Sequence, residues 1–406
     1  MNPFASRRRA LLPAVVLIAA ACVPNAATGG AIAVTSTDTA CDVAAASTTS
    51  GTVTFEVTNR GSQVTEFYLM GEDGLRIISE VENIAPGAAR TLTATVQPGS
   101  YVTLCKPGMI GSGIGQKAFT VTGDRVEITG PDAEVKQGAV DAYAAFVKEQ
   151  VAQLLPATEA FVALYASGKD DEAKASFATT RTYYERIEPV AEALGDLDPR
   201  IDYREVDAKA EGLDWTGFHR IEKDLWEPAP GSLNSDGETD AWEDWTPSTP
   251  EQRTQIGDQL VADVTELYDF VHSDEFTTFL NDQGVDWLSN GAIALLDEVA
   301  TGKITGEEDW WSGTDLWDFA ANVEGSKMAF TLVRDFASTQ GAEGADLVER
   351  IDAGYAALET ELATFGNLED GFVTYGELTD DNKRSLSNLI NSLAEPLSQL
   401  TSTILT

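Results

Sequence analysis

His219 and Glu222 stand three residues apart in the string Gly217-Phe218-His219-Arg220-Ile221-Glu222-Lys223-Asp224-Leu225-Trp226. On a helix that spacing puts an imidazole and a carboxylate on one face, where both can grip one metal ion. The other histidine, His272, sits in Val271-His272-Ser273-Asp274 without a partner histidine at ligand spacing. It reads as an ordinary exposed residue at a helix end. A zincin-type peptidase needs His-Glu-x-x-His and a general-base glutamate. Here Arg220 follows His219, and Lys223 stands where the second histidine would be. With no Gly-x-Ser-x-Gly elbow either, residue counting argues against hydrolysis.

The chain that must position this pair has 406 residues, enough for two or three domains with cores of their own. It carries 66 acidic and 27 basic residues, a formal charge of -39. That excludes nucleic acid, whose phosphates require a basic footprint. An acidic surface attracts cations in general and by itself marks no site.

The N-terminus reads as an address. Arg7, Arg8 and Arg9 precede a short apolar run, 10–21, which ends in Ala19-Ala20-Ala21-Cys22. The run is too short to span a bilayer comfortably, so residues 1–22 are expected to be a lipoprotein signal peptide. Acylation of Cys22 would anchor the chain to the outer face of the cytoplasmic membrane, with 23–35 as a flexible tether. Three cysteines are present, Cys22, Cys41 and Cys105. An acylated Cys22 leaves an even pair in an oxidising compartment, where a Cys41–Cys105 disulfide is one reading.

Residues 36–129 alternate apolar with polar in short runs such as Val53-Thr54-Phe55-Glu56-Val57-Thr58, broken by Asn59-Arg60-Gly61-Ser62, Pro86-Gly87 and Pro98-Gly99. This pattern predicts a small antiparallel β-sandwich. From 130 to 406 the period becomes helical. Tyr143, Phe146, Val147, Val151 and Leu154-Leu155 form one apolar stripe, and similar runs recur at 172–185, 252–271, 288–300, 316–336, 344–365 and 379–404. Such helices with short connections predict helical bundles, two four-helix bundles side by side. The stretch 227–250, with several prolines and carboxylates, interrupts them as a loop.

The string around His219 resembles the signature of the imelysin-like domain of the EfeO/EfeM family. Two further blocks match in order. One holds Arg181-Thr182-Tyr183-Tyr184-Glu185-Arg186-Ile187-Glu188-Pro189 and Gly195-Asp196-Leu197-Asp198-Pro199-Arg200-Ile201-Asp202. The other holds Leu296-Asp297-Glu298-Val299-Ala300, Lys303 to Glu308, and Thr314-Asp315-Leu316-Trp317-Asp318-Phe319. Residues 36–129 resemble the family's cupredoxin-like domain through Cys41, Val53-Thr54-Phe55, Thr65-Glu66-Phe67, Glu82 to Gly87 and Pro98-Gly99-Ser100-Tyr101…Cys105.

The likeness implies a metal pocket inside the helical domain built from His219, Glu222, Glu185, Glu188, Asp202 and Glu298. One imidazole among carboxylates is a hard, oxygen-rich set suited to iron, Fe2+ or Fe3+, with zinc or copper able to compete. Pro189 takes Glu188 out of helical geometry, which argues against its projecting beside Glu185. In the β-domain the likeness implies Cys41, Glu66 and Cys105 as copper or iron ligands, with Met109 as a further thioether. Blue-copper electron transfer is excluded, because it needs two imidazoles and neither histidine lies there. Ligation or a disulfide at Cys41 and Cys105 stays open. As a whole the resemblance implies the exported iron-binding component of an EfeUOB-type uptake system. It would be non-enzymatic, delivering iron to a membrane permease with a haem peroxidase as further partner. An imelysin-like metallopeptidase and a surface adhesion or polymer-binding lipoprotein are the alternatives. Gly313 stands where the family often has a histidine, and the 227–250 loop looks longer than usual, as a lid or an insertion.

Overall fold

The computed structural model describes residues 30–127 and 129–405, so the expected signal peptide and Cys22 lie outside the described residues. The N-terminal domain comprises β1 (Ile32–Ser36), β2 (Cys41–Val43), β3 (Ser47–Thr49), β4 (Gly51–Asn59), β5 (Thr65–Met70), β6 (Ile77–Ile84), β7 (Ala89–Val96), β8 (Gly99–Cys105) and β9 (Ile114–Thr122). They form a four-stranded sheet, β2-β1-β4-β7, facing a five-stranded one, β3-β9-β8-β5-β6. The first strand begins inside the segment expected as a tether. Ile32 and Val34 are buried, alternate with the more exposed Ala33 and Thr35, and pair in parallel with Phe55 and Val57.

In β4, Val53, Phe55 and Val57 point inward and Thr52, Thr54 and Glu56 outward, the period of two that a half-buried strand requires. Phe55 meets Phe67 and Phe119 of the opposite sheet, at centroid distances of 5.1 and 5.6 Å. Strand β5 is buried on both faces. Phe67 and Leu69 enter the sandwich core, while Glu66, Tyr68 and Met70 project toward a cavity whose far wall is helical.

The helical domain runs through α1 (Ala133–Ala166), α2 (Asp170–Glu185), α3 (Glu188–Glu192), α4 (Leu197–Ile201), α5 (Glu205–Glu211), α6 (Gly217–Leu225), α7 (Pro250–Val271), α8 (Asp274–Gln283), α9 (Val285–Glu298), α10 (Asp315–Ser338), α11 (Gly341–Leu362), α12 (Asp380–Leu397) and α13 (Leu400–Ile404). Helices α1, α2, α6 and α7 pack as one group and α9 to α12 as another, with α2 against α10 joining them. One continuous apolar cluster runs through both. Among the described residues, no helix is long and apolar enough to cross a membrane.

Helix α9 docks the sandwich. Asn290 Nδ2 donates to Ser79 Oγ (3.2 Å) and to the Thr93 carbonyl (3.0 Å), and Arg90 pairs with Asp297 at 2.8 Å. The 227–250 loop is packed rather than regular: Ala241 and Trp245 are buried, and Leu233 and Asp240 form an isolated bridge. It ends where Thr249 and Gln252 close a capping box with Pro250 in the first turn of α7.

Candidate metal centre

Helix α6 starts where only glycine fits. Gly217 has φ +83°, and a Cβ there would lie 2.1 Å from the Ile201 carbonyl. The close approach seats the first turn of α6 on the end of α4, reinforced by Thr216 Oγ1 donating to the Arg200 carbonyl (2.8 Å). Phe218, Ile221 and Leu225 enter the core, and that rotation turns His219 and Glu222 toward the segment between α9 and α10.

There His219 Nδ1 lies 3.2 Å from Glu222 Oε2. Glu222 Oε1 accepts the backbone N–H groups of Trp311 (3.0 Å) and Ser312 (2.7 Å). On the other side of the ring, His219 Nε2 is buried without a hydrogen-bond partner, 3.3 Å from Glu308 Oε1 and 3.7 Å from Asp202 Oδ1. Asp309 Oδ1, also buried and without a hydrogen-bond partner, lies 3.8 Å from Nδ1. Two constellations sharing His219 thus bring three ligand atoms within 4.8 Å of one another: Asp202/His219/Glu308 and His219/Glu222/Asp309.

Two buried cations hold this carboxylate density in place. Arg181 donates to Asp202, to Glu185 (2.6 Å) and to Asp318 (3.2 Å), and lies 3.6 Å from Asp309. Lys303 Nζ lies 3.4 Å from Glu188, 3.4 Å from Glu298 and 3.6 Å from Glu185. Burial pushes Glu185 up to about 8 and Asp309 to about 7, against the pull of the nearby cations. Glu308 goes the other way: burial alone would raise it, but Lys303 and His219 hold it well below the usual carboxylate range. Burial and Arg181 oppose protonation of His219, yet its contacts with Glu222, Glu308 and Asp202 hold it well above an ordinary imidazole.

Of the six residues expected in this pocket, His219, Glu222 and Asp202 converge. Glu185, Glu188 and Glu298 gather instead around Lys303, one step from the imidazole. Glu188 does return beside Glu185. Helix α2 ends at Glu185 and α3 restarts at Glu188 with Pro189 in its first turn, so Asn322 Nδ2 reaches both carboxylates at 3.2 and 3.3 Å.

The residues that sequence reasoning missed as pocket members are Glu308, Asp309, Asp315 and Asp318, with Arg181 and Lys303. Glu308 and Asp309 sit in turns between Lys303 and α10, where no period connects them to His219. A signal did exist in α10. Asp315, Asp318, Asn322 and Ser326 recur at helical spacing, and all are buried. A polar stripe in a core helix marks something to be bound or paired.

The β-domain set does not assemble. Cys41 and Cys105 form a disulfide with Cα atoms 5.5 Å apart, inside the sandwich core. Glu66 precedes the inward Phe67 in β5, so strand alternation sends it to the opposite face, where Tyr68 Oη donates to it (2.6 Å). Met109 lines that outer cavity as well. His272 lies at the exposed end of α7, stacked on Tyr268 at 4.1 Å, and supplies no imidazole to the centre. Gly313 has φ +70°, and a Cβ there would come to 3.8 Å of Thr374 and Tyr375. The long loop covers the pocket: Asn234 accepts from Lys223 Nζ (3.1 Å), Trp310 Nε1 donates to the Leu233 carbonyl (2.9 Å), and only about 10 Å³ remains beneath it.

Comparison with known proteins gives two family matches in chain order, a cupredoxin-like domain over residues 10–113 and imelysin over 139–400. The chain is 36% identical over 399 residues to the protein named iron uptake system component EfeO in Escherichia coli O157:H7, covering 97% of each chain. It matches the proteins of the same name from Escherichia coli K12 and Shigella flexneri to the same extent, 36% identity with 97% of each chain covered. With both domains matched in order and nearly the whole length aligned, this chain belongs to the EfeO family.

Proposed function

We propose that this chain is the extracytoplasmic iron-binding component of an uptake system, capturing iron in the His219 pocket and delivering it to a membrane permease. The observation that carries the reading is the buried Nε2 of His219, which has no hydrogen-bond partner and faces the carboxylates of Asp202 and Glu308. An imidazole nitrogen beside two carboxylate oxygens is a hard donor set suited to iron. Glu222, anchored by two backbone N–H groups, holds the ring by Nδ1 and fixes which nitrogen faces the cargo. The relatives' name, iron uptake system component, supports the same cargo. A carrier must also release. Arg181 and Lys303 already offset part of the carboxylate charge, so iron replaces an existing balance rather than filling a bare acidic hole. A lipid tether on Cys22 would keep the chain at the outer face of the cytoplasmic membrane, and a haem peroxidase is the further partner of such a system.

Anaerobic calorimetry with Fe2+ on the mature chain tests this. His219→Ala and Glu308→Gln should each weaken binding about tenfold or more, with thermal melts intact. Wild-type affinity in both variants would remove the pocket from the account.

A further inference from the structure

Between the outer face of β5 and β6 and helices α3 to α5 lies a cavity of about 430 Å³. Eleven carboxylate residues and two cationic ones line it. Both cations are already engaged: Lys106 lies 3.4 Å from Glu211, and Arg204 pairs with Asp207 at 2.6 Å. The β-domain contributes Glu66 and Glu82 to this lining, and the helical domain the other nine carboxylates. Glu82 is only 5% exposed and lines the cavity, and among the described residues nothing hydrogen-bonds or ion-pairs with its carboxylate. Its neighbour Glu80 keeps a buried, unpartnered carboxylate oxygen. Such groups cost free energy unless a counter-charge arrives. Burial and mutual repulsion hold Glu80, Glu82 and Glu192 well above the usual carboxylate range, because each lies among other acids with little counter-charge nearby.

The same cavity is lined by Asp202 and Glu308, the two carboxylates beside His219 Nε2. It therefore opens directly onto the proposed iron pocket. The alternative approach, beneath the 227–250 loop, is nearly closed. Among the described residues, only the constellations containing His219 bring three ligand atoms within 4.8 Å. The interdomain carboxylates are too widely spaced to chelate a bare ion, and the space suits an ion that keeps its water shell.

We propose that this interdomain cavity is an antechamber that holds a hydrated divalent cation on Glu82, Glu192 and Glu66 before it passes Asp202 and Glu308 to His219. The proposal rests on the His219 pocket being the cargo site, and it assigns the β-domain the role of walling and charging the inlet. The Cys41–Cys105 disulfide, inside the sandwich core, takes no part. Specificity belongs to the inner pocket, whereas the antechamber selects only for charge and hydration.

Mn2+ binding to the full mature chain, followed by calorimetry and by tryptophan fluorescence in stopped flow, is the test. Wild type should show a tight class of site, lost in His219→Ala, and a weaker class that His219→Ala retains. The double variant Glu82→Gln/Glu192→Gln should lose the weaker class and fill the tight one about tenfold more slowly, with salt slowing it less than wild type. Lys106→Gln should strengthen the weaker class. Survival of the weaker class with unchanged filling in the double variant, or its absence from His219→Ala protein, overturns the antechamber. A tight class that persists in His219→Ala overturns the inner pocket instead, and the double variant then judges the antechamber alone.

Discussion

The two regions expected to bind metal folded their acidic residues in opposite ways. In the helical domain, His219 and Glu222 from α6, Asp202 after α4, and Glu308 and Asp309 before α10 come from separate stretches and meet around one imidazole. In the β-domain, Cys41, Glu66 and Cys105 lie on strands close in space, yet Glu66 faces away from the disulfide. A strand allows two directions only, and the inward one is claimed by Phe67 beside Glu66. A helix end and its turns offer many, so polar groups can be aimed inward if cations are buried with them. Arg181 and Lys303 are those cations.

This contrast can be broken experimentally, most forcefully at Arg181. Removing it by Arg181→Met leaves Glu185, Asp202 and Asp318 buried without their partner. The expected loss is about 3–5 kcal/mol in urea unfolding at neutral pH, partly recovered on adding a divalent cation. A variant as stable as wild type would mean the carboxylates are not held by this charge.

The disulfide gives the next effect. It spans 64 residues, so Cys41→Ser/Cys105→Ser should cost about 4 kcal/mol by the chain-entropy argument. Iron affinity of the helical pocket should be unchanged by calorimetry. Lost iron binding in a folded double mutant would restore the cysteines as functional.

A smaller effect is expected with pH. Burial pushes Glu185 up to about 8 and Asp309 and Asp315 to about 7, so the folded chain favours their protonated forms more than the unfolded chain does. The stability they contribute is fully present below their ordinary range near pH 4 and is lost as pH rises through 7 to 8. Metal-free protein should therefore melt lower at pH 8 than at pH 6, and bound cation should narrow that gap by taking the protons' place. Equal melting at both values in chelator would contradict the arrangement.

The smallest change is Gly313→His. The backbone there is left-handed, so the substitution should cost about 1 kcal/mol. The added side chain starts against Thr374 and Tyr375, so iron affinity should not improve. A clear gain in calorimetry would show that this position reaches the pocket.

Much of the architecture was legible. Alternation in 53–58 and the stripe from Tyr143 to Leu154 specify which face is buried, because side-chain direction follows local period. The same rule paired His219 with Glu222 on one face of α6. Sequence could not place β1 within the 23–35 stretch, whose small residues read as a tether until Ile32 and Val34 find β4. Nor could it choose between a disulfide and thiolate ligands, since both use the same two cysteines. The amino-acid order by itself determined two domains, an acidic chain and one helix carrying an imidazole and a carboxylate. Only the tertiary structure decided that Glu308 and Asp309 complete the pocket, that Glu185, Glu188 and Glu298 turn to Lys303, and that an acidic cavity lies between the domains. Those outcomes depend on turns and on packing between distant segments, where no local period carries direction.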